Sequence, residues 1–580
     1  MLPYIDVPFQ YLSKQIGSGT DEIKLITVFL LSYPLAGLLK RVPDNKPYLK
    51  NVFSIVVTLF YLVGLFDLWD GLAIVLADAI TIYLIAAYVE GPFMPWIGFV
   101  VLMGHMSSSH IYRQRHGIPG SVDITGAQMV MVMKLSSFCW SVWDGKQDPK
   151  ELNDWQKDRA IKKLPSPLDF AGFVAFFPSF MVGPAFDYAD YRRWLETSMF
   201  DLPEGTDPAK APPTRGKRRI PRSGTPATIK MVIGLAWIFA HLQLVGYFNP
   251  AFVLSRDFGR LNFFMRVFHV YMMNIVERMK YYGVWTLTEG SCILAGIGYK
   301  GLDPKTGKPN WDRLTNIKPW GVEGAQNAHA YLGFWNINTN NWLRNSVYLR
   351  VTPKGKKPGF RATLATFVAS AFWHGFYPGY YLTFVLAAFM QNVAKNCRRL
   401  VRPFFMTPDG SKPTPYKRYY DIFTWVATQL GFAFATTPFI VLTLQYSLRV
   451  WAQVYFYCVI AVVAASGFLI SPGKTWLSKR VKARTSRPGM ARQDSQENMQ
   501  GAMLGVPVDP AKEFDEMVDE IMEEVKRRRG SVDLPRPEEV RQQVRETLVR
   551  QMSSAGADIS KVKEGLVRRV SGLPPTDKQI

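Results

Sequence analysis

Residues 362–393 read ATLATFVASAFWHGFYPGYYLTFVLAAFMQNV. An apolar helix from Ala362 to Phe372 ends in Trp373-His374-Gly375, and Pro378-Gly379-Tyr380-Tyr381 open the next apolar run. A run of this kind suits the interior of a bilayer, and a polar group within it is costly enough to point to function. The rest of the chain repeats the pattern. Apolar blocks lie at Ile23–Leu39, Val52–Phe66, Leu72–Val89, Ile97–Met106, Phe170–Val182, Ile229–Phe248, Phe263–Ile275, Val284–Tyr299, Ala362–Phe376, Tyr381–Val393, Ile422–Leu444 and Val450–Ile470. A full helical span needs roughly 20 apolar residues, so the shorter blocks are expected to be re-entrant or buried within a bundle. The expected fold is an all-α polytopic membrane protein with about nine to eleven spans.

Whole-chain averages hide this. The 580 residues are 48% hydrophobic with a mean hydropathy of -0.01, values that a soluble protein could share. The 38 Phe, 26 Tyr and 16 Trp fit interfacial aromatic belts instead. The net charge of +23 does not read as nucleic-acid binding, because of where it sits. From residue 472 onward there are 21 Lys+Arg and 17 Asp+Glu, so +19 of the excess belongs to the first 471 residues. There it occupies short loops between apolar blocks, as the positive-inside rule describes. Four cysteines, Cys139, Cys292, Cys397 and Cys458, form no CxxC pair and read as buried thiols, not a disulfide scaffold.

Asp21 and Glu22 precede the first block, while Lys40, Arg41, Lys46 and Lys50 follow it. This puts residues 1–22 in the lumen and the C-terminal side of the block in the cytoplasm. The stretch 206–225, rich in Pro, Gly and basic residues, reads as a cytoplasmic loop. The embedded domain is expected at 23–470. Residues 471–580 are expected to form a cytoplasmic tail of solvated helices and disordered chain.

Two regions carry polar residues at membrane depth. In the first, Asp123-Ile-Thr-Gly-Ala-Gln128 leads through Lys134 to Trp143-Asp144-Gly145, and a short amphipathic helix with polar ends accounts for it. The second runs from Trp335-Asn336-Ile337-Asn338-Thr339-Asn340-Asn341-Trp342 through a basic loop holding Lys354, Lys356 and Lys357 to His374. A lone histidine in an apolar helix is more often a hydrogen-bonded core residue than a catalyst. Its setting changes the balance. From a cytoplasmic Phe360, 14 helical residues descend ~21 Å into a core roughly 30 Å thick, so His374 lies beyond the midplane. Asn336 stands 38 residues earlier across the same loop, and a helical hairpin brings the two to similar depth. A buried histidine facing an asparagine under a basic entrance suits joining a polyanionic soluble donor to a lipid acceptor. His105, His110 and His116 cluster near Arg113 and Arg115 at a membrane edge, and His241, His269 and His329 are isolated. None has a metal-ligand spacing, and no metal is expected.

At these residues the chain resembles the membrane-bound O-acyltransferases, and within them the lysophospholipid acyltransferases of the broad-specificity fungal branch. The W-H-G-x-x-P-G-Y-Y stretch at Trp373–Tyr381 and W-N-I-N-T-x-x-W-L at Trp335–Leu343 carry the likeness. D-I-T-G-A-Q-M at Asp123–Met129, S-F-M-V-G-P at Ser179–Pro184 and K-Y-Y-x-x-W at Lys280–Trp285 extend it, with Glu289-Gly290 and Gly296–Tyr299 beyond. The resemblance covers roughly residues 20–470. It implies a multi-helix fold around a buried tunnel in the endoplasmic reticulum membrane. Acyl-CoA enters from the cytoplasm as co-substrate, a lysophospholipid arrives from the bilayer, and no cofactor is needed. By the same resemblance His374 and Asn336 are catalytic, with Asn338 and Asn340 as competitors for the asparagine role. Trp335, Trp373, Lys354, Lys356 and Lys357 are candidate substrate-binding residues. The chemistry agrees with the residue types: a neutral imidazole can take the proton of a glycerol hydroxyl, and an amide N–H can stabilise the thioester oxyanion. Burial in an apolar helix favours that uncharged ring. Two other readings stand beside this one: the same chemistry on a sterol, diacylglycerol or protein, and a transporter with His374 as proton relay. A transporter should show an internal repeat with paired broken helices, and none is found. Headgroup preference, acyl-chain preference and oligomeric state are not legible.

Overall fold

In the computed structural model, described residues are 4–17, 19–117, 121–202, 211–214, 216, 218–303, 306–351, 360–408, 410 and 412–485. Long helices dominate: α1 (Thr20–Leu39), α2 (Pro47–Leu59, continued by a π turn at Phe60–Leu65), α3 (Trp69–Tyr88), α4 (Met94–His116), α5 (Thr125–Gly145), α6 (Pro167–Val174), α7 (Gly224–Leu244), α8 (Phe263–Ala295), α9 (Ile337–Trp342), α10 (Phe360–His374), α11 (Pro378–Leu400), α12 (Lys417–Val441), α13 (Leu444–Gln453), α14 (Tyr457–Ile470) and α15 (Pro472–Thr485). Shorter helical turns connect them. The two strands among the described residues, β1 (Gly301–Leu302) and β2 (Pro309–Asn310), pair antiparallel with Gly301 opposite Asn310.

Among the described residues four segments are long and apolar enough to cross a membrane: α1, α2 with its π turn, α3 and α7. The bent pair α13–α14 makes a fifth. The expected nine to eleven spans exceed this because α4, α5, α8, α11 and α12 have the length but carry more polar side chains. The bundle supplies partners for many of those side chains.

Three expectations change. The block Phe263–Ile275 and the block Val284–Tyr299 as far as Ala295 belong to one helix, α8, whose 33 residues extend ~50 Å. The polar residues between them do not break it, because Asn274 meets Thr436 and Thr437, and Arg278 and Tyr282 both bond Glu323. The block Phe170–Val182 is not a span. Helix α6 stops at Val174, a single turn follows at Phe177–Phe180 with Pro178 in its opening positions, and Phe173, Phe176, Phe177 and Phe180 are all buried, the first two among the rings of Phe186, Tyr191 and Trp194. Non-helical backbone is tolerable there because protein covers it. Finally, α5 is no short amphipathic helix. It has 21 residues and is buried nearly all round, with Lys134 donating to the carbonyl of Phe173 at 2.6 Å under the rings of Phe173 and Phe186.

Helix packing follows small residues and inter-helix polar bonds. A Cβ on Gly234 of α7 would lie 3.0 Å from the Gly283 carbonyl of α8, so this pair of glycines lets the two backbones approach. Asp78 of α3 accepts from Gln128 of α5 at 3.0 Å and bonds His105 of α4 at 2.6 Å, tying three helices with one carboxylate. Between α13 and α14 the axis turns by 83°, through left-handed backbone at Tyr455 and Phe456. Phe434 stacks on Trp451 there, with ring centroids 4.8 Å apart. The described chain separates into two compact units, residues 4–398 with 418–474, and residues 399–417 with 475–485. In the second, Met406 and Pro413 form an isolated antiparallel bridge, and Arg484 donates to the carbonyl of Met406 at 2.9 Å.

Candidate active site

His374 is the last residue of α10, where the helix ends because Gly375 takes a left-handed φ of 122°. The imidazole is partly buried. It stacks on Phe384 of α11 (5.3 Å, 24°) and meets Phe439 of α12 edge-on (4.9 Å, 83°), with Tyr380 beside it at 5.7 Å. Aromatic faces thus fix the ring plane, while neither ring nitrogen has a hydrogen-bond partner among the described residues.

Asn336 precedes α9 in a left-handed conformation, φ 44° and ψ 55°, which asparagine adopts more readily than other side-chain-bearing residues. Three of the four asparagines of this stretch, Asn336, Asn338 and Asn340, differ in what they do. Asn340 donates its amide to the carbonyls of Leu332 and Trp335 at 2.6 and 2.7 Å, and Asn338 donates to that of Leu314 at 3.4 Å. Asn336 uses only its oxygen, which accepts from the Thr339 hydroxyl at 2.8 Å. Its NH₂ has no protein partner among the described residues. Asn316 sets the turn: its carbonyl accepts from the Ile337 N–H at 2.8 Å and its side-chain oxygen from the Asn338 N–H at 3.0 Å.

One face of α5 organises both segments. Trp373 donates its indole N–H to the carbonyl of Met129 at 3.1 Å, Thr339 lies 3.3 Å from the sulfur of Met133, and Trp342 donates to the Ser136 hydroxyl at 2.8 Å. Met129 and Met133 are one turn apart, ~6 Å along the axis. The neighbour of His374 and the residue bonded to Asn336 therefore dock one turn apart on a common support. Trp342 and Trp373 close the contact with rings 5.9 Å apart. Asn336 and His374 are not joined by a hydrogen bond to each other.

Trp335 lies elsewhere, in a cage of Tyr281, Tyr282 and Trp285, at 5.8, 6.0 and 5.2 Å. The K-Y-Y-x-x-W stretch of α8 thus packs on the residue next to Asn336. Trp373 is buried and held by α5, so it acts as a support and its indole N–H is already used. Lys354, Lys356 and Lys357 lie outside the described residues. At the far end of α5, Asp144 holds Arg350 through two bonds of 2.9 and 2.6 Å, which ties the segment after α9 to the same helix. Among the described residues no group of three or more His, Cys, Asp or Glu could hold a metal, and all four cysteines are free. Three contributors gave no local signal in the sequence: Asn316, Ser136 and His110, whose Nε2 bonds the carbonyl of Trp373 at 3.1 Å. Each is recognisable only by what it meets.

The chain is similar to known proteins along most of its length. The model of MBOAT, the membrane-bound O-acyltransferase family, matches residues 114–437, a range that holds α5, Asn336 and His374. A Schizosaccharomyces pombe protein named lysophospholipid acyltransferase is 45% identical over 83% of this chain and 92% of its own length. A Saccharomyces cerevisiae protein of the same name is 43% identical over 80% of this chain and 76% of its own. A chicken relative (Gallus gallus), membrane-bound glycerophospholipid O-acyltransferase 2, is 27% identical over 84% of this chain and 92% of its own. With the family model covering more than half its length, this polytopic chain belongs to the membrane-bound O-acyltransferase family.

Proposed function

We propose that this protein transfers a fatty acyl group from acyl-CoA to the free hydroxyl of a lysophospholipid, with His374 as general base and Asn336 as oxyanion donor. The observation that carries the reading is that Trp373 and Thr339, the neighbours of a ring and an amide with no polar partner among the described residues for the ring nitrogens and the NH₂, dock one turn apart on α5. The lysolipid hydroxyl gives its proton to a ring nitrogen of His374 as its oxygen attacks the thioester carbon. The carbonyl oxygen becomes anionic, and the NH₂ of Asn336 donates to it. Collapse expels the CoA thiolate, which takes the proton back from the imidazolium. The neutral ring this requires agrees with its aromatic surroundings. The reading calls for no cofactor beyond acyl-CoA. The resemblance implies the endoplasmic reticulum membrane, and the charges flanking the first span support residues 1–22 as lumenal and the 471–580 tail as cytoplasmic. The names of the fungal relatives support a phospholipid acceptor over a sterol, diacylglycerol or protein.

Oleoyl transfer from CoA to lysophosphatidylcholine in microsomes, normalised to protein, tests it. His374→Ala is expected to lose ~10²–10⁴-fold in rate and Asn336→Ala ~10²–10³-fold, with acyl-CoA binding preserved. If His374→Ala with a normal size-exclusion profile retains more than about a tenth of the rate, His374 is not the base.

A further inference from the structure

We propose that His110 of α4 is a positioning residue for acyl transfer, holding the last turn of α10 and with it the imidazole of His374. This rests on the reading of His374 as the base. The last carbonyls of a helix have no partner within it. At the end of α10 the Trp373 carbonyl accepts from His110 Nε2 at 3.1 Å. The residue after His374 meets the same ring: a Cβ built on Gly375 would lie 3.2 Å from His110 Nδ1 and 3.3 Å from its Cγ. So the residues on both sides of His374 face one side chain of another helix, one through a hydrogen bond and one as a glycine where a Cβ would crowd the ring. Glycine at 375 serves two ends, the left-handed φ and room for the His110 ring.

The remaining contacts complete a three-point mount. The Trp373 indole is fixed to α5 through Met129, its carbonyl to α4 through His110, and the His374 ring is stacked on α11 and α12. Because a carbonyl can only accept, Nε2 of His110 carries the hydrogen, and in the neutral ring Nδ1 is the acceptor. His110 is 8% exposed, so a hydrogen-bonding ring here has been withdrawn from solvent to serve this contact. It bonds the backbone of Trp373, not the imidazole of His374, and so acts through α10. A small displacement of a base from its reacting proton is costly in rate, and that sets the scale expected.

The test is a substitution series in the purified full chain, with kcat and KM measured for oleoyl-CoA and lysophosphatidylcholine. His110→Phe keeps the ring volume and removes the donor. It is expected to lower kcat by about 10- to 100-fold while both KM values stay within about twofold. His110→Gln puts an amide N–H at the reach of Nε2 and is expected to recover most of that loss. His110→Asn, one methylene shorter, is expected not to. A His110→Phe kcat within about threefold of the unaltered enzyme overturns the proposal, as does a Gln variant no better than Asn. If His110→Phe is not recovered as monodisperse protein, the Gln and Asn pair decides alone. His374→Ala measured alongside separates the two readings. Residual activity there removes the base, whereas an inactive His374→Ala with a flat His110 series removes only His110.

Discussion

Thr339→Val removes one hydroxyl and keeps the branched shape, so it tests the orientation of Asn336 without emptying space. Among the described residues, the Thr339 hydroxyl is the one group that bonds the Asn336 carboxamide, at 2.8 Å. By holding the oxygen it leaves the NH₂ facing away, available to a developing oxyanion. A neutral hydrogen bond of this kind contributes ~0.5–1.5 kcal/mol. If that preference is expressed in the transition state, its loss slows turnover by about 2- to 12-fold. Removing the donor itself, as in Asn336→Ala, costs ~10²–10³-fold. Thr339→Val should therefore fall between the unaltered enzyme and Asn336→Ala, with KM for both substrates little changed, and Thr339→Ser should recover the loss. The assay is kcat and KM for oleoyl transfer in purified protein, with thermal unfolding in detergent as the control on folding. A Thr339→Val kcat equal to that of the unaltered enzyme, beside an inactive Asn336→Ala, would refute the claim that this bond orients the amide.

Asp144→Ala removes a buried carboxylate from a part-buried Arg350 and should destabilise the protein by up to ~3–5 kcal/mol, read as a lower unfolding temperature. Adding Arg350→Met should restore part of that loss in a double-mutant cycle, and strictly additive losses would contradict the coupling. Changing Lys354, Lys356 and Lys357 together to Gln should raise KM for acyl-CoA more than for the lysolipid and flatten its salt dependence; equal effects would reduce these lysines to topology markers. Tags at both ends of the chain, digested in sealed microsomes, should show a protected N-terminal tag and a cleaved C-terminal one. Protection of the C-terminal tag would overturn the orientation read from Lys40, Arg41, Lys46 and Lys50.

Several elements were legible before any coordinates. The block Ile23–Leu39 lies within α1, Leu72–Val89 nearly coincides with α3, and α10 runs from Phe360 to the histidine. The W-H-G and W-N-I-N-T stretches singled out the residues now found against α5. Two of the misjudged elements share a cause. Local windows penalise a polar residue as if it faced lipid, so the sequence around Asn274, Arg278 and Lys280 split α8 in two. The same rule made α5 amphipathic because of Gln128, Lys134 and Asp144, each of which is paired inside the bundle. Phe170–Val182 was apolar enough for a span, yet its chain direction breaks near Pro178.

The sequence by itself determined the membrane character and the ends of several helices, and it singled out His374 as the candidate base. Apolar composition, proline and flanking charge act residue by residue, whatever lies opposite. Tertiary structure decided which of the three competing asparagines keeps a free amide, because Asn338 and Asn340 differ from Asn336 in the carbonyls within their reach. It also brought His110 from a distant helix to the end of α10, and joined Asp78, His105 and Gln128 across three helices. Away from water a polar group must find its partner in the protein, and the neighbouring helix that supplies it is chosen by the packing of the whole bundle.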